Sequence, residues 1–255
     1  MKSESYGPFA YAYDKALGER FFRSARRVLA GVLERYPTID KSHLDVACGT
    51  GLTNEYFASR GWRSIGADAS MPMLAVARTR ARRLAAADFR ALPFRTTFSR
   101  ITCLYDSLNH LKNRADLVAA FRSIQRLMSN DSLFLFDMNH PDVYPEIWGM
   151  TEPYVATGPD FHLEIATGYR KRDATGLALV TGWALLPNGT RAEISERHEQ
   201  RAYSEREIIA SLGEAGLEVV ELIDFDPYSE AGTREAEGVK FFFVCRSGRI
   251  DKINP

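Results

Sequence analysis

The chain has 255 residues, and its 33 Lys+Arg balance 33 Asp+Glu, so the formal net charge is zero. That length allows one large domain, or one domain with an appendage, around a sizeable core. Balanced charge argues against a general polyanion binder and leaves room only for a local basic patch.

The three cysteines, Cys48, Cys103 and Cys245, sit in or beside apolar runs without CxxC spacing. They read as small buried hydrophobes in a reducing cytoplasm, not as disulfides or a zinc site. No run approaches the ~18 apolar residues of a membrane span. Met1 to Gly7 is polar and Tyr13-Asp14-Lys15 breaks the next stretch, which is unlike a signal peptide. There is no internal repeat.

Phe9-Ala10-Tyr11-Ala12-Tyr13-Asp14 is dense in aromatic residues. Ser24 to Tyr36 has the period of an amphipathic helix, ended by Pro37. Strand-like and helix-like runs then alternate. Strands are expected at 43–47, 63–67, 84–87, 100–105 and 133–137, and helices near 51–60, 71–82 and 113–128. Such alternation predicts an α/β fold with a parallel sheet covered on both faces. Short right-handed crossovers put every carboxyl end on one edge, where such sheets bind ligands.

Residues 140–150, with two prolines, read as loop or broken helix. From about 153 to 203 the period is two, and Asn188-Gly189 marks a tight hairpin. This stretch reads as three or four antiparallel strands inserted into the fold. Ser204-Glu205-Arg206-Glu207 looks like a capping box opening a helix that ends at Gly216. Strands at 217–225 and 239–245 close the sheet, joined by a polar loop at 227–238.

His43-Leu44-Asp45-Val46-Ala47-Cys48-Gly49-Thr50-Gly51 runs a short strand into a glycine turn and straight on into a helix. Without a Cβ, Gly49 and Gly51 can take unusual φ values and let the backbone approach a ligand. The helix opening offers free N–H groups just beyond. The next strand ends on Asp68, about 20 residues past the glycines, where an acid can accept both hydroxyls of a ribose. Asn54 stands where the dinucleotide fingerprint has its third glycine, and Asp45 precedes the turn. Both features disfavour a pyrophosphate and suit a nucleoside with a cationic tail.

The turn resembles motif I, D-x-x-x-G-x-G, of the class I S-adenosylmethionine (SAM) methyltransferases, with Ala47 replacing that family's commoner first glycine. Asp68-Ala69-Ser70-x-x-Met73-Leu74 resembles the family's D-x-S-x-x-M-L. The resemblance puts Asp68 on the ribose, with Ala69 and Met73 around the nucleoside. A helix cap is the plainer reading of Asp68. Ala86-Ala87-Asp88-Phe89-x-x-Leu92-Pro93-Phe94 resembles G/A-D-x-x-x-L-P-F. It implies that Asp88 accepts the adenine amino hydrogen and that the neighbouring N–H, at Phe89, donates to the ring; again a helix cap is the plainer reading.

Leu104-Tyr105-Asp106-Ser107-Leu108-Asn109-His110-Leu111 resembles the segment after the fourth strand of glycine and sugar N-methyltransferases. There it touches cofactor, here through Leu104 and Tyr105, and acceptor, here through Asn109 and His110. Alone, His110 reads more simply as a structural hydrogen-bonding residue. The aromatic opening resembles the F/L-A-x-x-Y-D lid of small-molecule methyltransferases, with Tyr13 closing over both ligands. Plainly read, it is an amphipathic helix packed on the core.

The resemblance implies a Rossmann-like seven-stranded methyltransferase sheet with an inserted antiparallel β-platform. Residues 1–139 would be lid and SAM-binding core, 140–203 the substrate platform, and 204–255 the last helix and two strands. The resemblance implies SAM as cofactor and S-adenosylhomocysteine as its product, with no metal. The expected reaction moves a methyl group to a nitrogen or oxygen of a small molecule. His110 orients the acceptor or takes its proton, and Asn139 and His140 help to hold it. Trp148, Tyr169 and Trp183 are either pocket wall or platform core.

A tRNA or protein methyltransferase and a non-catalytic SAM-binding protein are the alternatives. Arg78-Thr79-Arg80-Ala81-Arg82-Arg83 reads as a solvated helix face and not as an RNA stripe. The expected setting is a cytoplasmic homodimer acting on a small molecule, without nucleic acid or membrane.

Overall fold

A computed structural model of the chain describes residues 6–149, 152–227 and 239–248. The polar loop expected at 227–238 falls, from 228 on, outside them. The chain opens with α1 (Phe9–Tyr13), a π-helical turn (Asp14–Gly18) and α2 (Glu19–Arg35). There follow β1 (Ser42–Val46), α3 (Leu52–Ala58), β2 (Arg63–Asp68), α4 (Met71–Ala77), β3 (Leu84–Ala86), β4 (Arg100–Cys103), α5 (Arg114–Gln125) and β5 (Leu133–Asn139). A second π-helical turn (Tyr144–Trp148) leads to β6 (Tyr154–Gly158), β7 (Phe161–Arg170), β8 (Thr175–Leu185) and β9 (Arg191–Arg201). The chain then forms α6 (Glu205–Glu214), β10 (Leu217–Phe225) and β11 (Lys240–Ser247).

The main sheet has seven strands in the order β10-β11-β5-β4-β1-β2-β3. Strands β1 to β5 are parallel, and β11 runs antiparallel to both β5 and β10. The chain winds outward from β1 to β3, then returns to the other side of β1 to lay down β4. That reversal leaves a crevice at the carboxyl ends of β1 and β4.

Strand β5 is buried at every position because both its faces are covered, and it is apolar except at Asp137 and Asn139. Phe134 and Phe136 pack with Leu117 and Phe121 of α5 and Ile208 and Leu212 of α6. Leu133 and Leu135 face the other way, onto Ala25, Leu29 and Val32 of α2 and Phe57 of α3. The four strands β6 to β9 form a separate antiparallel sheet. Its inner face, including Leu163, Ile165, Val180 and Ile194, packs on Phe9, Ala12 and Ala16 of the opening segment. The hairpin turns at Asn188-Gly189, with Gly189 at φ 80°, a value that favours glycine. The box at Ser204 forms as expected, with the Ser204 hydroxyl and Glu207 carboxylate each bonding the other's backbone N–H.

Several expected elements are shorter than predicted, two of them for reasons visible in the backbone. Helix α4 stops at Ala77, where the ladder tightens: the N–H groups of Thr79 and Arg80 bond the carbonyls three residues back, at Val76 and Ala77. Strand β4 stops at Cys103, because Tyr105 and Asp106 take left-handed φ values of 67° and 47°. The three cysteines are free and buried. Among the described residues no helix is long and apolar enough to cross a membrane.

Candidate active site

A cavity of about 700 Å³ lies over the carboxyl ends of β1, β2 and β4. Ala47, Gly49 and Gly51 have φ values of 54°, 53° and 86°, so the turn curls tightly around one end. Gly49 faces the cavity. Gly51 serves packing instead: a Cβ there would come within 3.3 Å of the Ala77 Cβ. Asp68 accepts the Gly49 N–H at 2.8 Å and the Ser70 N–H at 2.7 Å. Burial lifts its carboxyl above the ordinary value against those donors. The helix cap falls to Ser70, whose hydroxyl accepts the Met73 N–H.

Asp45 is 2% exposed and accepts the Thr102 hydroxyl at 2.6 Å. Burial pushes its carboxyl up to about 7. Ala69, Met73, Phe89 and Leu104 complete the wall. Asp88 is on the wall too, but it caps the Phe89–Ala91 turn by accepting the Arg90 N–H at 2.8 Å. The Arg90 guanidinium also grips both its oxygens, which holds the carboxyl below its usual range.

The opening segment roofs this cavity through Tyr6, Tyr13, Gly18, Phe21 and Phe22. It is pinned at its π-helical turn. Asp14 accepts the Thr50 hydroxyl and the Arg80 guanidinium, each at 2.5 Å, and Arg80 also donates to the Thr50 carbonyl. Arg80 therefore belongs to the roof's anchorage and not to the solvated helix face expected of its run. It lies three residues past the end of α4. Across the roof, the Tyr6 N–H donates to Glu196 and the Tyr154 hydroxyl to the Ala16 carbonyl, while Lys15 pairs with Asp160.

A second chamber, of about 400 Å³, lies between the roof, the antiparallel sheet and the ends of β4, β5 and β11. Tyr6, Tyr13, Tyr105, His110 and His198 line both spaces, so the two meet there. Phe9, Leu17, Trp148, Ile165 and Val180 give the second chamber apolar walls. The Nδ1 of His110 lies 3.1 Å from the Glu199 carbonyl, which can only accept, so that nitrogen carries the proton. Its Nε2 lies 3.5 Å from the Gln200 amide nitrogen. Burial lowers the imidazole's pKa despite the nearby Asp106, so the ring is neutral with its lone pair on Nε2.

The second chamber's wall carries a charged cluster that sequence reasoning missed: Asp106, Gln200 and Lys240 line it, and Asp137 lies behind them. Asp137 accepts the N–H groups of Tyr105 and Asp106 at 2.6 and 3.0 Å. The Lys240 ammonium donates to Asp137 at 2.9 Å and also to Asp106. Gln200 donates to Asp106 at 2.5 Å. Burial works to raise the Asp106 carboxyl, but Lys240 and Gln200 outweigh it and hold the group below its usual range. At the fully buried Asp137 burial prevails, and Lys240 offsets it only in part. The available signal was charge inside apolar runs: Asp137 closes Leu133-Phe134-Leu135-Phe136, and Lys240 opens Phe241-Phe242-Phe243.

Of the expected acceptor contacts, Asn139 lines the second chamber and donates to Gln200 at 2.9 Å. Asn109 is fully buried behind it, donating to the Arg201 carbonyl and accepting the Asn139 N–H. His140 is on neither wall. One residue beyond Asn139, its side chain points the other way, onto the Phe241 ring, and its Nδ1 accepts the Asp142 N–H. Trp183 is likewise outside, under the Arg191 guanidinium, and Tyr169 stacks on Tyr144. Among the described residues no group of three His, Cys, Asp or Glu could hold a metal ion.

Residues 44–131 match the family model described as a methyltransferase domain. Over 157 residues the chain is 32% identical to dTDP-3-amino-3,6-dideoxy-α-D-glucopyranose N,N-dimethyltransferase of Streptomyces fradiae, covering 60% of this chain and 59% of that protein. The chain thus spans about three fifths of the length of the curated relatives it matches. Its fold is that of a SAM-dependent methyltransferase from Clostridium acetobutylicum ATCC 824, with a TM-score of 0.79 and 22% identity over 95% of this chain and 99% of that one. The SAM-bound amino pentose methyltransferase CalS10 from Micromonospora echinaspora aligns with a TM-score of 0.71 and 20% identity, over 97% of this chain and all of that one (100%).

Proposed function

We propose that this chain, which carries a methyltransferase domain in residues 44–131, moves a methyl group from SAM to a nitrogen of a small molecule, leaving S-adenosylhomocysteine. The observation that carries the reading is the meeting of two chambers at Tyr13, Tyr105 and His110. One has an acidic and glycine-lined nucleoside end; the other is apolar with a few convergent polar groups, as small-molecule sites are.

The residues fit SAM. Each Asp68 oxygen spends one acceptor site on a backbone N–H, and a carboxylate has about four such sites. Asp68 therefore keeps acceptor capacity for a ribose hydroxyl, while Asp45 offers a buried acid to a cationic amino-acid tail. Ala69, Met73 and Phe89 would enclose the base, with Asp88 at its edge. SAM supplies a methyl already activated on a cationic sulfur. The protein's task is then to orient and to exclude water, and orientation alone can be worth ~7–11 kcal/mol. Tyr13 and Tyr105, 5.4 Å apart between ring centroids, close the junction. The His110 Nε2 accepts the acceptor's N–H, or takes its proton, and Asn139 holds a polar group further along the chamber.

The relative from Streptomyces fradiae is named for an amino-sugar nucleotide, and amino sugars are the acceptors we favour. A tRNA or protein acceptor is disfavoured by the small, roofed chamber and the zero net charge. The same reading takes a cytoplasmic homodimer, which size-exclusion chromatography and cell fractionation check.

The test is a screen of small amines and alcohols, dTDP-3-amino-3,6-dideoxyglucose among them, following S-adenosylhomocysteine release. Turnover on an amine supports the reading. Turnover on alcohols alone would move it to oxygen with His110 as base, and SAM binding with no turnover anywhere would leave a SAM-binding protein.

A further inference from the structure

We propose that Lys240 is a positioning residue: its ammonium, shared by Asp137 and Asp106, clamps the left-handed Tyr105–Asp106 turn against the roof and so sets the geometry where the two chambers meet. The inference rests on the transferase reading only for its effect on turnover.

Two consecutive residues with a Cβ have positive φ at this turn, at 67° and 47°. Such backbone is disfavoured and persists only where its surroundings hold it. One carboxylate holds it here. Asp137, with no exposed surface, takes both N–H groups of the turn at 2.6 and 3.0 Å. The turn's own Asp106 carboxylate lies nearby, so two acids share one buried space. Lys240, 3% exposed, bonds both.

The same ammonium stands 5.3 Å from the Phe21 ring centroid on α2, within range of a cation–π contact. Phe21 in turn packs on Tyr105 at 4.2 Å, and Tyr105 meets Tyr13 at 5.4 Å. One charge therefore ties together the end of β5, the turn after β4 and the helix that roofs the donor site. Removing it leaves the fully buried Asp137 and the partly buried Asp106 without their shared counter-charge, which such a cluster tolerates poorly. Of these three elements the turn is the one free to relax, because it carries the positive φ values.

Three readouts test this on the whole protein, in Lys240→Met and in the double variant Lys240→Met/Asp137→Asn. The double variant keeps the cluster's net charge while removing the ammonium and one of the two acceptor oxygens that hold the turn, so it serves if the single variant does not fold. Hydrogen exchange at the Tyr105 and Asp106 amides should rise at least about tenfold beyond any change in global stability, with the Gly49 amide unaffected. SAM affinity by calorimetry should stay within about threefold, while turnover of an amine that the wild type methylates should fall at least about tenfold.

Unchanged exchange at the two amides would overturn the clamp, as would a lower melting temperature with turnover retained. Exchange needs no acceptor. If the wild type methylates nothing, the transferase reading fails while the clamp is still judged.

Discussion

Lowering the pH from 8 to 6 should weaken SAM binding, and Asp45 should be the reason. Its carboxyl sits at about 7, because burial outweighs the Thr102 hydroxyl that favours the ionised form. A group titrating there is about nine-tenths ionised at pH 8 and about one-tenth at pH 6. If only the carboxylate engages the donor's cationic tail, apparent affinity falls about tenfold over those two units. The sign follows from charge: a bound cation favours the ionised acid, so binding below pH 7 must release a proton.

Calorimetry at both pH values, in two buffers of different ionisation heat, reads affinity and proton release together. Asp45→Asn should bind more weakly at pH 8 and lose the pH step. Thr102→Val should move the midpoint upward. A wild-type affinity independent of pH, or the same step surviving in Asp45→Asn, would refute the assignment.

His110→Ala should lower turnover with little change in SAM affinity. The loss should be about 10²–10⁴-fold if the ring is a general base, with a basic limb lost below its ordinary value of about 6.5; an orienting role costs only a few-fold, and an unchanged rate would make His110 structural. Asp14→Ala removes the acid that holds Thr50 and Arg80, a charged hydrogen-bond loss of about 1.5–3 kcal/mol. SAM should then leave faster in stopped flow, and an unchanged off-rate would show that the roof does not retain it. His43 is buried between Ser64 and Thr102 and stacked 3.6 Å from Phe57, and burial lowers its pKa well below 6.5. Below about 6.5 the unfolded chain binds a proton there that the folded one refuses, so this stability is present at neutral pH and lost on acidification. The melting-temperature gap between wild type and His43→Gln should shrink from pH 7 to 5, and a widening gap would contradict the sign.

The features legible in the sequence were local. The turn at 47–51, Asp68 at the end of β2 and the period-two run after residue 153 each declare themselves within a few residues. The placement of His110 followed from its place after β4. The charged cluster did not declare itself, since Lys240 lies 134 residues from Asp106 and reaches it only because β11 inserts beside β5. Arg80 was misread because α4 ends three residues before it and the acid it pairs with, Asp14, lies 66 residues away in the chain. His140 was misjudged by one step of a strand, enough to turn its side chain away from the chamber. Asp88 carried two readings, and the structure realises the cap while leaving the residue on the cavity wall.

The most direct measurement is a single turnover with SAM labelled at the methyl, mixed with the amine that the screen identifies and resolved by tandem mass spectrometry. The label should appear on the acceptor's nitrogen, one methyl for each S-adenosylhomocysteine formed, and at a reduced rate in His110→Ala. Label on an oxygen, on tRNA or on protein, or SAM that binds and is never consumed, would contradict the account.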